Sequence, residues 1–337
     1  MNTRFKGKRV VFRRRGVVEL EEFYLDPPGK DEVLLKAITT VISPGTETAF
    51  LLGLPNTSGT YPQYPGYSFA GVVEATGENT EFEIGDRVVA ACHHASLVLT
   101  NKDRVLRIPK GTSFEEAAFF NLAAIAMQGV RKAQIELGES VAVFGLGVVG
   151  LLAAQLAKLS GAIEVIGVDL YENRRRTALK VGVDHVIDPR QADPIETIRG
   201  LTNGGADIVI EATGHPNVIV DAIKAANRLG RVILLGSTRG ITNGINFYRD
   251  VHRKGIIIIG AHTSVRPRHE SFKYFWTVKD EWRLSLKLIN RKLLKVAPLI
   301  SAKMSYKEAV NAYRLLIEEK NKVLTVALNW NTEDPAG

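Results

Sequence analysis

Gly145-Leu146-Gly147-Val148-Val149-Gly150 stands between two apolar stretches of different kinds. Before it runs Ser140-Val141-Ala142-Val143-Phe144, short and β-branched, which reads as a buried strand. After it runs Leu151-Leu152-Ala153-Ala154-Gln155-Leu156-Ala157-Lys158-Leu159, which reads as a helix packed on a sheet. A bare G-x-G-x-x-G says little, but in a strand–turn–helix setting it is a dinucleotide fingerprint. Gly145 makes the tight turn, Gly147 lets backbone approach a pyrophosphate, and Gly150 lets helix and strand pack closely. The backbone around Leu146, Val148 and Val149 then offers free N–H groups and the positive end of a helix dipole to phosphate. The bland alternative is a glycine-rich turn that binds nothing.

The next strand weighs against that alternative. Glu164-Val165-Ile166-Gly167-Val168-Asp169 ends in an acid about 22 residues past Gly147, close to the spacing of a ribose-binding carboxylate. An Asp there accepts from ribose hydroxyls and repels a 2′-phosphate. Arg174, Arg175 and Arg176 follow closely and pull the other way, toward NADP. Asp169 occupies the strand end whereas the arginines open the next helix, so the expected cofactor is NAD.

Working outward, strands and helices alternate from 140 to about 261, with strands near 141–144, 164–168, 184–187, 207–211, 231–235 and 255–260. Six strands with intervening helices fit a doubly wound parallel sheet. Residues 8–42 and 66–110 read instead as short strands punctuated by Gly, Pro and Asp, a compact barrel-like domain. Residues 114–133 take helical periodicity. Helices are expected over 278–291 and 305–319, a closing strand over 323–328, and a frayed tail from Asn331 to Gly337.

Bulk properties narrow the classes. The 337 residues suffice for one large domain or two ordinary ones, and 45% hydrophobic content describes a globular chain. No apolar run approaches the roughly 20 residues of a membrane span. The opening Met1-Asn2-Thr3-Arg4-Phe5-Lys6-Gly7-Lys8 has no apolar core of a secretory signal, so a cytoplasmic setting is the default expectation. A single cysteine, Cys92, excludes an internal disulfide framework and a multi-cysteine zinc site. The net charge of +8 reads as a solvated basic face or attraction to anionic small molecules. No nucleic-acid module accompanies it, and no nucleic-acid partner is expected.

Several motifs resemble the medium-chain dehydrogenase/reductase superfamily over nearly the whole chain. They are Pro65-Gly66-Tyr67-Ser68-Phe69-Ala70-Gly71-Val72-Val73, Gly85-Asp86-Arg87-Val88, the glycine fingerprint, Glu211-Ala212-Thr213-Gly214 and Leu234-Leu235-Gly236-Ser237. Ser43-Pro44-Gly45-Thr46-Glu47, Arg249–Gly255 and Gly260-Ala261-His262 look closest to a zinc-lacking subgroup that contains bacteriochlorophyllide hydroxyethyl dehydrogenases. The resemblance implies an α/β architecture with a GroES-like β-barrel catalytic domain (residues 1–120 and 265–337) and a doubly wound parallel-sheet Rossmann domain (121–264). It implies a homodimer joined through the sixth Rossmann strand, Ile256–Ile259. It also implies cofactor contacts beyond the fingerprint: Arg174 flanking adenine, Thr213 along adenosine, and the backbone of Leu235, Gly236 and Ile259 near the carboxamide, with His262 just beyond.

Departures from the family matter as much. Zinc-dependent members carry a Cys where Pro44 stands, a His where Tyr67 stands, and a third ligand where Asn121 stands; the four-cysteine structural lobe is absent. A catalytic zinc needs three protein ligands of N, O⁻ or S⁻ character, and proline, tyrosine and asparagine do not supply them. No metal is therefore expected. Without zinc a side chain must take the hydroxyl proton and donors must stabilise charge on oxygen. The candidates are Tyr67, His94, Thr46, Glu47 and Asn121 for chemistry, with Cys92, His93, Tyr64 and Trp276 around the substrate. Of two adjacent residues on a strand one faces away, so only one of His93 and His94 serves; His94 is favoured. Tyr67 has an equally good structural role, its hydroxyl bonded to Glu47 or Asn121.

These residues point to a zinc-independent, NAD(H)-dependent oxidoreductase acting on a secondary alcohol or its ketone. Residue polarity favours a polyol, cyclitol or sugar derivative. A quinone or enone reductase using NADPH and a non-catalytic NAD(H) sensor are the rival expectations.

Overall fold

The computed structural model describes residues 4–331; the tail expected from Asn331 to Gly337 lies, beyond its first residue, outside the described residues. The chain begins with strands β1 (Phe5–Arg14), β2 (Val17–Leu25) and β3 (Glu32–Val41), then helix α1 (Pro44–Leu51). Strands β4 (Phe69–Thr76), β5 (Arg87–Ala90), β6 (Leu97–Asn101) and β7 (Val105–Arg107) follow, then helices α2 (Phe114–Ala117) and α3 (Phe120–Ala133). Next come β8 (Ser140–Phe144), α4 (Val148–Leu159), β9 (Glu164–Val168), α5 (Glu172–Val181), β10 (His185–Ile187), α6 (Pro194–Thr202), β11 (Ala206–Glu211), α7 (Pro216–Ala225), β12 (Ala226–Leu234) and β13 (Ile257–Gly260). Helix α8 (Val278–Asn290), β14 (Ala302–Ser305), α9 (Ala309–Glu318) and β15 (Val326–Asn329) close the chain.

Two compact units emerge. One comprises residues 1–121, 283–292 and 300–337, the other 122–282 and 293–299. In the first, β1 and β2 form an antiparallel hairpin of their own. A seven-stranded sheet carries the rest in the order β14-β15-β3-β4-β5-β7, with β6 also on β3. Alternate residues of these strands, including Val33, Leu35, Ala37, Phe69, Val73, Val88 and Ala90, turn into one core that α9 covers with Ala309, Ala312, Tyr313 and Leu316. Phe12 meets Tyr313 edge to face at 5.1 Å between ring centres.

The second unit holds a six-stranded sheet in the order β10-β9-β8-β11-β12-β13, every pair parallel. In chain order that is third, second, first, fourth, fifth, sixth: the doubly wound arrangement, with its switch point between β8 and β11. Val141, Ala142, Val143, Ile208, Val209, Ile210, Val232 and Ile233 are fully buried, as strands covered on both faces must be.

The structure corrects three sequence expectations. The periodicity over 114–133 resolves into two helices interrupted at Ala118 and Phe119. Residues 117 to 124 are all buried, which a single straight helix with one apolar stripe does not achieve. The second unit also runs on past residue 264 to Trp282. Arg266 donates to the Ala124 carbonyl at 2.7 Å and pairs with buried Glu281 at 2.8 Å, while Arg131 stacks on Trp276 at 3.4 Å. The closing strand starts at Val326 rather than 323. Among the described residues no helix is long and apolar enough to cross a membrane.

Candidate active site

In the second unit the fingerprint adopts the geometry that its residues dictate. Gly145 follows β8 with φ +93, a conformation open to glycine, and a Cβ there would strike Thr213 across the switch point. Gly150 lies so close to the Gly145 carbonyl oxygen that any side chain would collide with it. Gly147 differs from both. It has an ordinary φ of −68 as the N-cap of α4, and a Cβ built on it would meet nothing within 4 Å. Neither backbone strain nor neighbouring protein calls for glycine there. The open space above it, at a helix start without a side-chain cap, fits a pyrophosphate in van der Waals contact with the backbone.

Asp169 sits just past β9 and is 7% exposed. Its Oδ2 accepts from the Leu146 N–H at 2.8 Å and its Oδ1 from the Tyr171 N–H at 2.8 Å. The acid that follows β9 and the fingerprint turn are thus joined by a direct hydrogen bond, and with Arg174 also on Oδ2 it is Oδ1 that keeps a further lone pair for an incoming hydroxyl. Arg174 stands 3.5 Å from Asp169 and lies over the Tyr171 ring at 4.7 Å. Thr213, exposed beyond β11, is tied by its N–H and hydroxyl to Glu211. Burial pushes the Glu211 carboxyl above its usual range although three donors hold it. The N–H groups of Leu235 and Gly236 both donate to the Glu211 carbonyl. Ile259 lies on the edge strand β13. The imidazole of exposed His262 bonds to Ser264 at 2.7 Å. Trp276 lies in the second unit, one ring face taken by Arg131.

In the first unit the candidate residues divide into a buried knot and a more open layer. Glu47, on α1, is 3% exposed. Its Oε1 accepts the Ser43 N–H at 2.7 Å; its Oε2 accepts from His94 Nε2 at 3.0 Å and from the Tyr313 hydroxyl at 2.5 Å. Burial and the adjoining carboxylate push the Tyr313 phenol well above its ordinary value, so it stays a donor. His94 is fully enclosed, and its Nδ1 is buried without a partner. That corrects the expectation for His94: a side chain with no exposure cannot touch substrate, and it acts by holding Glu47. Neighbouring His93 is the half-buried one. Burial and the Arg9 charge lower its pKa to about 4, so it is a neutral imidazole throughout the neutral range. Tyr64, 6.2 Å from His93 between ring centres, is 42% exposed, with Arg9 stacked on it at 3.9 Å.

Cys92 belongs to the first unit's apolar core, and burial pushes its thiol up to about 11. Tyr67, half-buried, donates its hydroxyl hydrogen bond to Ser43 Oγ at 2.5 Å; the expected partners were Glu47 or Asn121. Asn121 instead donates from Nδ2 to the Tyr67 carbonyl at 3.0 Å. Thr46 is half-exposed on α1. Sequence reasoning missed Ser43, whose one signal was its place as N-cap before Pro44 at the start of α1.

Two families match the chain. "Alcohol dehydrogenase GroES-like domain" covers residues 29–129, and "Zinc-binding dehydrogenase" covers 148–278. The chain belongs to the zinc-type alcohol dehydrogenase-like, medium-chain dehydrogenase/reductase superfamily. Both descriptions place it among oxidoreductases of the alcohol dehydrogenase type. It is 28% identical to D-guloside 3-dehydrogenase of Shigella flexneri over 255 residues, 74% of this chain and 71% of that one. Its fold matches an NADP-bound Sinorhizobium meliloti 1021 protein with TM-score 0.82, 24% identity, 97% of this chain and 100% of that one. It also matches an Escherichia coli CFT073 alcohol dehydrogenase complexed with NADH, with TM-score 0.82, 19% identity, 96% and 99% coverage.

Zinc, implied by the family, does not fit the residues present. At the ligand positions Pro44 has no donor, Tyr67 is committed to Ser43, and Asn121 turns its amide nitrogen to a backbone carbonyl. Among the described residues no group of three or more His, Cys, Asp or Glu side chains is arranged to hold a metal ion. The His94–Glu47 pair is sealed beneath Tyr313.

The glycines make a clear prediction. Gly147→Ala retains the wild-type melting temperature within a few degrees but weakens dinucleotide binding at least about ten-fold, because a methyl group enters the pyrophosphate space. Gly150→Ala lowers stability by roughly 1–3 kcal/mol through overpacking. Calorimetric titration and thermal denaturation separate the two; equal dinucleotide affinity in Gly147→Ala and wild type would contradict the assignment.

Proposed function

We propose that this chain is a zinc-independent, NAD(H)-dependent dehydrogenase that interconverts a secondary alcohol and its ketone. The observation carrying the proposal is the Tyr67 hydroxyl, bonded to Ser43 Oγ at the place of a zinc ligand. A nicotinamide ring, when bound, supplies the acceptor for the hydride. What remains for the protein is the hydroxyl proton. Half-buried Tyr67 gives up its proton to solvent, the Ser43 hydroxyl then turns to donate to the phenolate oxygen, and that oxygen takes the substrate hydroxyl proton as the hydride leaves. Ser43 is held for this at its backbone by Glu47, and Glu47 in turn by His94 and Tyr313. Neutral His93 and half-exposed Thr46 add hydrogen-bonding groups that suit a hydroxylated substrate. Polyols, cyclitols and sugar derivatives are the favoured class, in keeping with the D-guloside 3-dehydrogenase relative. Asp169 supports NAD because a buried carboxylate at the ribose disfavours a 2′-phosphate. Ser43–Glu47 supports a place in the zinc-lacking subgroup.

Tyr67→Phe removes the hydroxyl without altering the ring. The expected result is a loss of about 100-fold or more in kcat with the NAD+ dissociation constant within two-fold of wild type. His94→Ala, by contrast, lowers the melting temperature, since it leaves a cavity and an underbonded buried carboxylate. Full activity in Tyr67→Phe would sink the proposed proton route. Cofactor binding with no turnover on any alcohol in the wild type would favour a sensor.

We further propose a homodimer paired along β13. This strand is the sheet edge, and Ile257 on it is 55% exposed, an apolar edge open to a second copy. Light scattering should give twice 37.0 kDa for the wild type and a shift toward 37.0 kDa for Ile257→Lys. A monomeric wild type would refute the dimer.

A further inference from the structure

Three consecutive arginines open α5 beside the ribose acid, a basic patch that would suit a 2′-phosphate. The structure accounts for each of them separately. Arg174 leans on Tyr171 and Asp169. Arg176 pairs with Glu172 one helical turn away. Arg175 reaches past Asp169, donating to its carbonyl at 2.7 Å, and pairs with Asp188 Oδ2 at 2.9 Å.

Asp188 is the unexpected member. It follows Ile187, the last residue of β10, which pairs with Val168 at the end of β9. The Asp169 N–H donates to the Ile187 carbonyl at 3.2 Å, so the two acids stand side by side at the ends of adjacent parallel strands. The Asp188 side chain is 5% exposed and carries a second guanidinium. Arg190 grips it in bidentate fashion, Nε to Oδ1 at 2.9 Å and Nη2 to Oδ2 at 2.7 Å. The same Nη2 donates to the Leu170 carbonyl at 2.6 Å, next to the ribose acid. One buried carboxylate therefore occupies two guanidiniums within a residue or two of Asp169. Its carboxyl is held far below the ordinary range by these arginines, so it stays charged at any working pH.

We propose that Asp188 is a second determinant of cofactor selectivity, one that withholds Arg175 and Arg190 from the 2′-phosphate of NADP. The inference rests on the NAD reading above. Asp169 disfavours the phosphate by direct repulsion; Asp188 does so by engaging the cations that would otherwise neutralise it. A charge-assisted, bidentate pair is among the stronger polar contacts, and a guanidinium so held gains little by turning to a second anion. Without the Asp188 charge, three guanidiniums would face one carboxylate, and the balance at the ribose would favour the phosphorylated cofactor.

Equilibrium titration of the intact protein with NAD+, NADP+, ADP and adenosine 2′,5′-bisphosphate tests this without reference to turnover. Wild type should bind NAD+ at least ten-fold more tightly than NADP+. Asp188→Asn should tighten NADP+ and adenosine 2′,5′-bisphosphate by roughly ten-fold or more, while NAD+ and ADP change by less than about three-fold. Adding Arg175→Gln and Arg190→Gln to that variant should abolish the gain. Folded Asp188→Asn with an unchanged NADP+/NAD+ ratio would overturn the proposal and leave the NAD reading standing. A wild type that prefers NADP+ would overturn the NAD reading itself. Should Asp188→Asn fail to fold, Arg190→Gln in the wild-type background decides: unchanged NADP+ affinity is expected, and a loss would show Arg190 already serving the phosphate.

Discussion

A carboxylate enclosed in protein has to find donors, and the first unit is built around meeting that need for Glu47. Three groups from separate places satisfy it: the Ser43 N–H at the start of its own helix, His94 from the segment before β6, and Tyr313 from α9. Removing any one would leave buried charge underbonded, which is far more costly than never having buried it. The carboxylate thereby pins α1 to segments that sequence separates by 47 and 266 residues. The orientation of Ser43, and through it the bond from Tyr67, follows from that anchor.

The dinucleotide half rests on a comparable link. Asp169 bonds to the Leu146 N–H, so the acid that follows β9 also fixes the glycine turn. The turn itself is set by sterics: Gly150 because of the carbonyl pressed against it, Gly147 because of the space left open above it. Beyond the turn, charge is distributed with little surplus. Each arginine that opens α5 has an acid or an aromatic face of its own.

Much of this was legible in the sequence. The inner strands of the parallel sheet announce themselves because strands covered on both faces must be apolar throughout, and the glycine spacing marks which of them begins the fold. That Pro44, Tyr67 and Asn121 do not suit zinc is likewise a matter of residue chemistry. Facing is what the sequence could not convey. His93 and His94 lie outside the regular strands, where alternation does not tell which ring turns inward; the inward turn of His94 is settled by Glu47 and Tyr313, remote in sequence. Cys92 entered the core for the same reason. Ser43 and Asp188 passed unnoticed because each also acts through a contact that the fold brings about, with Tyr67 and with Arg175. The extension of the second unit to Trp282 depends on Arg266 and Arg131, two cations that no apolar pattern would flag.

The central claim is that an alcohol dehydrogenase fold here works through a tyrosine hydroxyl without a metal ion. The most direct measurement is NADH formation by protein dialysed against EDTA, with its metal content determined, across polyols, cyclitols, sugars and simple secondary alcohols. Turnover unchanged by chelation and unaffected by added zinc, at well under one zinc per chain, is the predicted result. Activity lost to EDTA and restored by zinc would contradict the account.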